Sequence, residues 1–233
     1  MPKLIQISDC HIDDQPMVMG VNSSVNLEKI ISKISSINFD ALLISGDLSH
    51  NGTVKSYQIL KEMLSPIKQP IFVIGGNHDN TQNLENIFSG SLFNSFKLGN
   101  WDIISIDSIQ ANKTSGFITQ AALKKLDALL LASLSKNIMV VIHHPIVPMN
   151  SSWDDELSLE NPQDLFQILN KHSKINAVVF GHAHEAAEFT QSDFKVISCP
   201  STALQFNQEQ KGVGFNEFNL DDNGNINYKT QWI

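Results

Sequence analysis

The apolar residues of this chain fall into two kinds of run. Leu4 to Ser8, Ala41 to Ser45, Ile71 to Ile74, Trp101 to Ile106, Ile138 to Ile142 and Ala177 to Phe180 are short, continuous and largely β-branched, the pattern of strands buried on both faces. Val25 to Ile37, Val54 to Leu64, Thr119 to Leu131 and Asp164 to Asn170 carry apolar residues at helical spacing, and Pro66 stops the second of these. Strand and helix therefore alternate, as in α/β proteins. From Glu185 to Ile233 the pattern changes to short strands joined by turns such as Asp221-Asp222-Asn223-Gly224. No repeat, low-complexity tract or linker interrupts the chain, and 233 residues suit one domain spanning 1–233.

The way the strands end carries more information than the strands themselves. Five runs stop at residues that bind metals: Asp9-Cys10-His11, Gly46-Asp47, Gly76-Asn77-His78-Asp79, His143-His144-Pro145 and Gly181-His182-Ala183-His184. In open α/β sheets, ligands bind outside the carboxyl ends of the strands. Asp9 and His11 lie two apart, so an extended segment would put both on one face, and the same holds for His182 and His184. Glycines before Asp47, Asn77 and His182 allow a sharp backbone turn. Each piece has an ordinary use taken singly. Asp47 could cap a turn, Asn77-His78-Asp79 could be a turn, and His143-His144 could be a packed core pair. Capping alone does not account for five strand ends that all carry Asp, Asn or His.

Charge narrows the chemistry. The net charge of −8 argues against a nucleic-acid polymer as partner. All 16 basic residues are lysine, so a phosphate-handling site here has no bidentate guanidinium clamp. Metal ions are the obvious candidates for neutralising phosphate. Two metals roughly 3.5–4 Å apart lower the pKa of a bound water and neutralise phosphate oxygens. Mixed nitrogen and oxygen ligands suit iron, manganese, zinc or cobalt without a thiolate. The two cysteines make no disulfide framework, no apolar run reaches the roughly 18 residues of a membrane span, and Met1 to Ile5 lead straight into a strand with no room for a signal peptide. A cytoplasmic protein without a membrane partner is expected.

The five motifs in this order resemble the calcineurin-like metallophosphoesterase superfamily, from about Lys3 to Phe206. Within it the chain looks most like the class III cyclic-nucleotide phosphodiesterases of the bacterial cyclic AMP type. Gly20-Val21-Asn22, the run Trp101 to Ser108, Trp153 with Ser158-Leu159-Glu160-Asn161, and Cys199-Pro200-Ser201-Thr202 followed by Gln205-Phe206 point the same way. The resemblance implies an α/β fold, a four-layer αββα sandwich of two mixed β-sheets flanked by helices. It implies two divalent metal ions, iron or manganese ahead of zinc or cobalt. One metal would take Asp9, His11, Asp47 and His184, and the other Asp47, Asn77, His143 and His182, with Asp47 bridging. His78 would stay off the metals and face the leaving group, while a metal-bound hydroxide opens cyclic AMP to AMP.

Residues around this set are also assigned. His144 is expected to hold a ligand through its other ring nitrogen, His50 to face substrate, and His172 to lie on the surface near a helix end. Serine/threonine phosphoprotein phosphatases carry Asp and then Arg where this chain has His50 and Asn51, which counts against a protein phosphatase and leaves Asp79 or His50 to orient His78. Other small esters are alternative substrates: a glycerophosphodiester, a 2′,3′-cyclic nucleotide or a nucleotide-sugar lipid precursor. A non-enzymatic nucleotide-binding scaffold is disfavoured because all eight positions are intact. The resemblance, with the apolar residues between Pro145 and Leu159, also suggests a homodimer.

Overall fold

The continuous apolar runs form strands because both of their faces are covered. The computed structural model describes every residue except Gln208, Gln210 and Lys211. In chain order the elements are β1 (Lys3–Ile7), α1 (Ser23–Ser35), β2 (Ala41–Ser45), α2 (Val54–Met63), β3 (Ile71–Ile74), α3 (Thr81–Phe88), β4 (Ser95–Leu98), β5 (Trp101–Ser105), α4 (Gln120–Ala132), β6 (Asn137–Val141), α5 (Ser152–Leu157), α6 (Pro162–Leu169), β7 (Ile175–Phe180), β8 (Ala187–Gln191), β9 (Phe194–Ser198), β10 (Gly214–Leu220) and β11 (Ile226–Trp232). One sheet has the order β11-β10-β1-β2-β3 and the other β4-β5-β6-β7-β9-β8. Each has a parallel centre, β1-β2-β3 or β5-β6-β7-β9, with antiparallel strands at one or both edges. Both sheets are therefore mixed.

The side-chain alternation of the strands sorts the core into layers. Ile5, Ile7, Leu42 and Ile44 join Leu27, Ile30 and Ile34 of α1, Leu60 of α2 and Leu84 of α3. Their neighbours Leu4 and Leu43 point the other way, toward Ile103, Met139, Val141 and Val179 of the second sheet. Ile104, Val140, Val178 and Val196 pack under α4 and α6 through Leu123, Leu126, Leu165 and Leu169. The layers run helix, sheet, sheet, helix. A polar seam crosses the largely apolar space between the sheets. Gln6 Nε2 donates to Ser45 Oγ (2.9 Å) and to the Phe180 carbonyl (3.2 Å). Asn216 Nδ2 donates to the Ser198 carbonyl (3.1 Å) and to Gln6 Oε1 (3.4 Å).

Four helices begin where an Asn or Thr side chain accepts an otherwise unpaired amide: Asn22, Thr53, Asn80 and Thr119 cap α1, α2, α3 and α4. Three elements go beyond the periodicity reading: α3, β4 and α5. Each has at most eight residues and at most two buried ones. In the suggested dimer-forming stretch Ile146, Met149 and Leu159 are buried within the chain, Val147 and Leu157 are half-buried, and Pro148 and Trp153 are exposed. Among the described residues, no helix is long and apolar enough to cross a membrane.

Candidate metal centre

Parallel strands align their carboxyl ends, so the loops after β1, β2 and β3 emerge side by side, facing those after β6 and β7. Asp9 and His11 follow β1, Asp47 follows β2, Asn77 and His78 follow β3, His143 follows β6, and His182 and His184 follow β7. The loops are not extended, contrary to the expectation from the two-residue spacing. Asp9 (φ 54°), His11 (44°), Asp47 (49°), His182 (67°) and His184 (50°) all take left-handed backbone, which costs each about 1 kcal/mol or more. Cross-loop hydrogen bonds offset this: Asp9 N–H donates to the Gly46 carbonyl (3.0 Å), and His11 N–H to that of Asp47 (2.9 Å). Cys10 and Ala183, between the paired candidate ligands, turn into the two helix-covered cores. His182 and His184 consequently serve opposite halves of the cluster, His182 beside His143 and His144, and His184 beside Asp9 and His11.

Two glycines make the approach possible. Gly46 has φ +106°, and a Cβ there would fall on the His143 ring. A Cβ on Gly76 would lie 2.5 Å from Asp47 N and 2.6 Å from His143 Nε2. Asp9, His11, Asp47, His143, His182 and His184 are buried, while His50, Asn77 and His78 are half-buried and form the open side.

The backbone fixes which ring nitrogens carry protons. His143 Nδ1 donates to the Ser45 carbonyl (2.9 Å), and His184 Nδ1 to that of Leu204 (2.9 Å), so in the neutral rings both Nε2 lone pairs point inward. His143 Nε2 lies 3.1 Å from Asn77 Oδ1 and 3.5 Å from Asp47 Oδ1. His184 Nε2 lies 3.0 Å from His11 Nε2 and 3.5 Å from Asp9 Oδ1. With both rings neutral, His143 Nε2 faces the Asn77 and Asp47 oxygens and His184 Nε2 faces the Asp9 oxygen, acceptor against acceptor in a buried place, an arrangement that a metal cation satisfies and that without one is relieved by a proton on His143. Proton affinities follow the same field. Burial holds the His11 and His182 imidazoles down to about 3. Burial also opposes a charge on His143, yet the Asp47 carboxylate and its hydrogen bond lift that ring to about 9. Asp9 falls to about 2, because the burial that would raise it is outweighed by His184 and His143.

The surrounding residues take more definite positions than the sequence allowed. His78 Nδ1 donates to the main-chain carbonyl of His50 (2.9 Å), and the two rings stack at 4.9 Å. His50 therefore orients His78, through its backbone, and Asp79 makes no such contact. The Asp79 carboxylate instead accepts four donors: Ser49 N–H (3.0 Å), Tyr57 O–H (2.9 Å), Leu48 N–H (3.1 Å) and Gly76 N–H (2.8 Å). It clamps the loop carrying Asp47 to the loop carrying Asn77. His144 does not bond to a ligand nitrogen. Its Nε2 donates to the Thr114 carbonyl (3.0 Å), its Nδ1 accepts from Ser108 Oγ (2.7 Å), and its ring packs against His143 and His182. No role for Tyr57 or Ser108 follows from the sequence: Tyr57 lies on a helix with no motif around it, and Ser108 enters only as the last residue of the run from Trp101. His172 pairs with Asp127 (2.7 Å) away from the centre.

A family model described as calcineurin-like phosphoesterase matches residues 2–186. The chain belongs to the calcineurin-like phosphoesterases. The match takes in all five loops of this phosphoesterase. It is 58% identical over 229 residues to a probable cyclic nucleotide phosphodiesterase of Ruthia magnifica subsp. Calyptogena magnifica, covering 98% of this chain and 97% of the relative. It is 28% identical to the 3′,5′-cyclic adenosine monophosphate phosphodiesterase CpdA of Pseudomonas aeruginosa, covering 94% and 80%. A dimetal phosphatase from Danio rerio shares the fold, with a TM-score of 0.71 at 14% identity, covering 93% of this phosphoesterase and 94% of that chain.

Proposed function

We propose that this phosphoesterase is a dinuclear metal phosphodiesterase that hydrolyses 3′,5′-cyclic AMP to AMP. The observation that carries the reading is the placing of Asp47, whose Oδ2 lies 3.6 Å from His11 Nε2 and whose Oδ1 lies 3.5 Å from His143 Nε2. One carboxylate faces both halves of the ligand cluster, as a bridging ligand must. Asp9, His11, Asp47 and His184 would hold one cation, and Asp47, Asn77, His143 and His182 the other. This donor set accepts iron, manganese, zinc or cobalt, and the family resemblance puts iron and manganese first. Bound there, two divalent cations supply activated water and neutralise phosphate oxygens.

The chain's own groups do the rest. With Nδ1 committed to the His50 carbonyl, His78 can donate from Nε2 only as an imidazolium. That contact fixes the ring so that its second N–H faces the leaving ribose oxygen. Without arginine, a singly charged diester suits the site better than a dianionic monoester, which wants a further fixed cation. The two buried, unpaired thiols Cys10 and Cys199 fit a cytoplasmic setting. A homodimer remains part of the reading, and light scattering that returns the mass of one 25.9 kDa chain would reject it.

The decisive test is a hydrolysis panel on manganese-loaded protein with cyclic AMP, a 2′,3′-cyclic nucleotide, bis(para-nitrophenyl) phosphate and a glycerophosphodiester. Cyclic AMP should be the best natural substrate. A chelator should abolish turnover and manganese restore it; turnover that survives thorough metal removal would sink the two-metal reading.

A further inference from the structure

An aromatic pair beside the ligand cluster has no part in the chemistry assigned so far. Phe206 lies flat on His184, with centroids 4.1 Å apart and planes within 9°. Trp153 meets Phe206 edge to face at 5.0 Å and 82°. The rings come from three distant stretches: the loop after β7, the loop after β9, and α5. They form a series leading outward, since His184 is 2% exposed, Phe206 36% and Trp153 52%. The Leu204 carbonyl accepts from His184 Nδ1 (2.9 Å), so the loop that carries Phe206 is fastened to the same imidazole.

Packing does not explain this placement. Met149 and Leu159, on either side of α5, are buried in the core, while the indole between them keeps half its surface in water. A lone surface aromatic needs no explanation. An aromatic joined through one ring to an imidazole of the cluster stands within reach of a group attached to a phosphate bound there. An exposed indole gains most from a flat, apolar partner, and a nucleobase offers a π-face whatever its identity.

We propose that Trp153, backed by Phe206, is the wall on which the nucleobase of a cyclic nucleotide stacks while its phosphate sits over the buried ligand cluster. The inference rests on the cyclic-nucleotide reading and deepens it. Stacking makes the site prefer nucleotides to base-free diesters, and it discriminates weakly between adenine and guanine.

Manganese-loaded wild type, Trp153→Ala and Trp153→Phe are compared on cyclic AMP and on its base-free counterpart, methyl ribofuranoside 3,5-cyclic phosphate. The ratio of the two kcat/KM values reads the contribution of the base. Wild type should favour cyclic AMP, and the ratio should fall roughly 5- to 100-fold in Trp153→Ala, the usual scale of one base–aromatic stack. Trp153→Phe, which keeps a ring, should recover most of it. A wild type that treats both esters alike, or a preference that survives in Trp153→Ala, would overturn the wall and leave the phosphodiesterase reading standing. If wild type cleaves neither cyclic ester but cleaves bis(para-nitrophenyl) phosphate, the cyclic-nucleotide reading fails, and the wall with it.

Discussion

Replacing Asp79 by Asn tests how the two loops that carry Asp47 and Asn77 are held together. The carboxylate accepts Ser49 N–H and Tyr57 O–H on Oδ1, and Leu48 N–H and Gly76 N–H on Oδ2. All four donors belong to buried residues. In the best arrangement of Asp79→Asn, the amide oxygen keeps Leu48 and Gly76, and the NH2 donates to the Tyr57 oxygen. Ser49 N–H is then left without a partner, at about 1–3 kcal/mol, and the surviving bonds lose their charge, at about 1 kcal/mol each. The loss comes to about 3–5 kcal/mol. An opposing effect depends on metal. Burial beside the Asp47 charge raises the Asp79 carboxyl from 3.8 to about 6 even with these hydrogen bonds in place, so the ionised form is disfavoured on balance when no metal is bound. Removing that charge therefore offsets most of the loss in metal-free protein. Cations on Asp47 cancel the repulsion, and the hydrogen bonds then decide the outcome. Urea unfolding with and without manganese should show a destabilisation of several kcal/mol in loaded protein and about 1 kcal/mol or less in metal-free protein. By linkage the difference is lost metal affinity. Equal destabilisation in the two states would refute the reasoning.

Three further expectations follow from the same geometry. Asp47→Ala should strip both metals, while His78→Ala should keep about two per chain and lose roughly 10²–10⁴-fold in turnover. That loss should be larger for cyclic AMP than for bis(para-nitrophenyl) phosphate, whose phenolate leaves without a proton; metal analysis and kinetics on both variants decide it. Diesters should be preferred, so faster turnover of para-nitrophenyl phosphate than of its bis ester at neutral pH would contradict the charge argument. Glu217 tests the acid limb of stability. Burial would raise its carboxyl, but Lys3 (2.6 Å), Gln231 (2.9 Å) and Lys229 (3.3 Å) together hold it below 4.5. A depressed folded pKa means that this stabilisation is complete above pH 4.5 and fades as pH falls below it. Glu217→Gln should lose roughly 1–3 kcal/mol at pH 7 and converge with wild type in acid; a constant gap across the pH range would count against the pairing.

The core strands, and the side chains that the fold gathers beyond their ends, were legible in the sequence for one reason. Strands buried on both faces leave unbroken apolar runs, and their carboxyl ends mark where a ligand must sit. The same signal could not reveal the left-handed backbone at Asp9, His11, Asp47, His182 and His184, because a two-residue spacing fits extended and alternating conformations alike. Contacts made through main-chain atoms were hidden too. That the His50 carbonyl, and not a carboxylate, holds His78 depends on a loop path that no side-chain pattern encodes. β4 and α5 escaped because a four-residue edge strand and a six-residue helix bury too little to impose a period.

The amide seam through Gln6 and Asn216 has a consequence for evolution and engineering. Three of the five ligand loops hang from one sheet and two from the other, so the gap across the cluster is set by how far one sheet has slid over its neighbour. Aliphatic faces accept many offsets at nearly equal energy, whereas Gln6 Nε2 reaches the Phe180 carbonyl at only one. An all-apolar seam of similar shape could fold as well or better. It would then surrender the lateral gauge that keeps the two halves of the cluster in step, so that thermal tolerance and catalytic competence could part company through a residue that never meets the substrate.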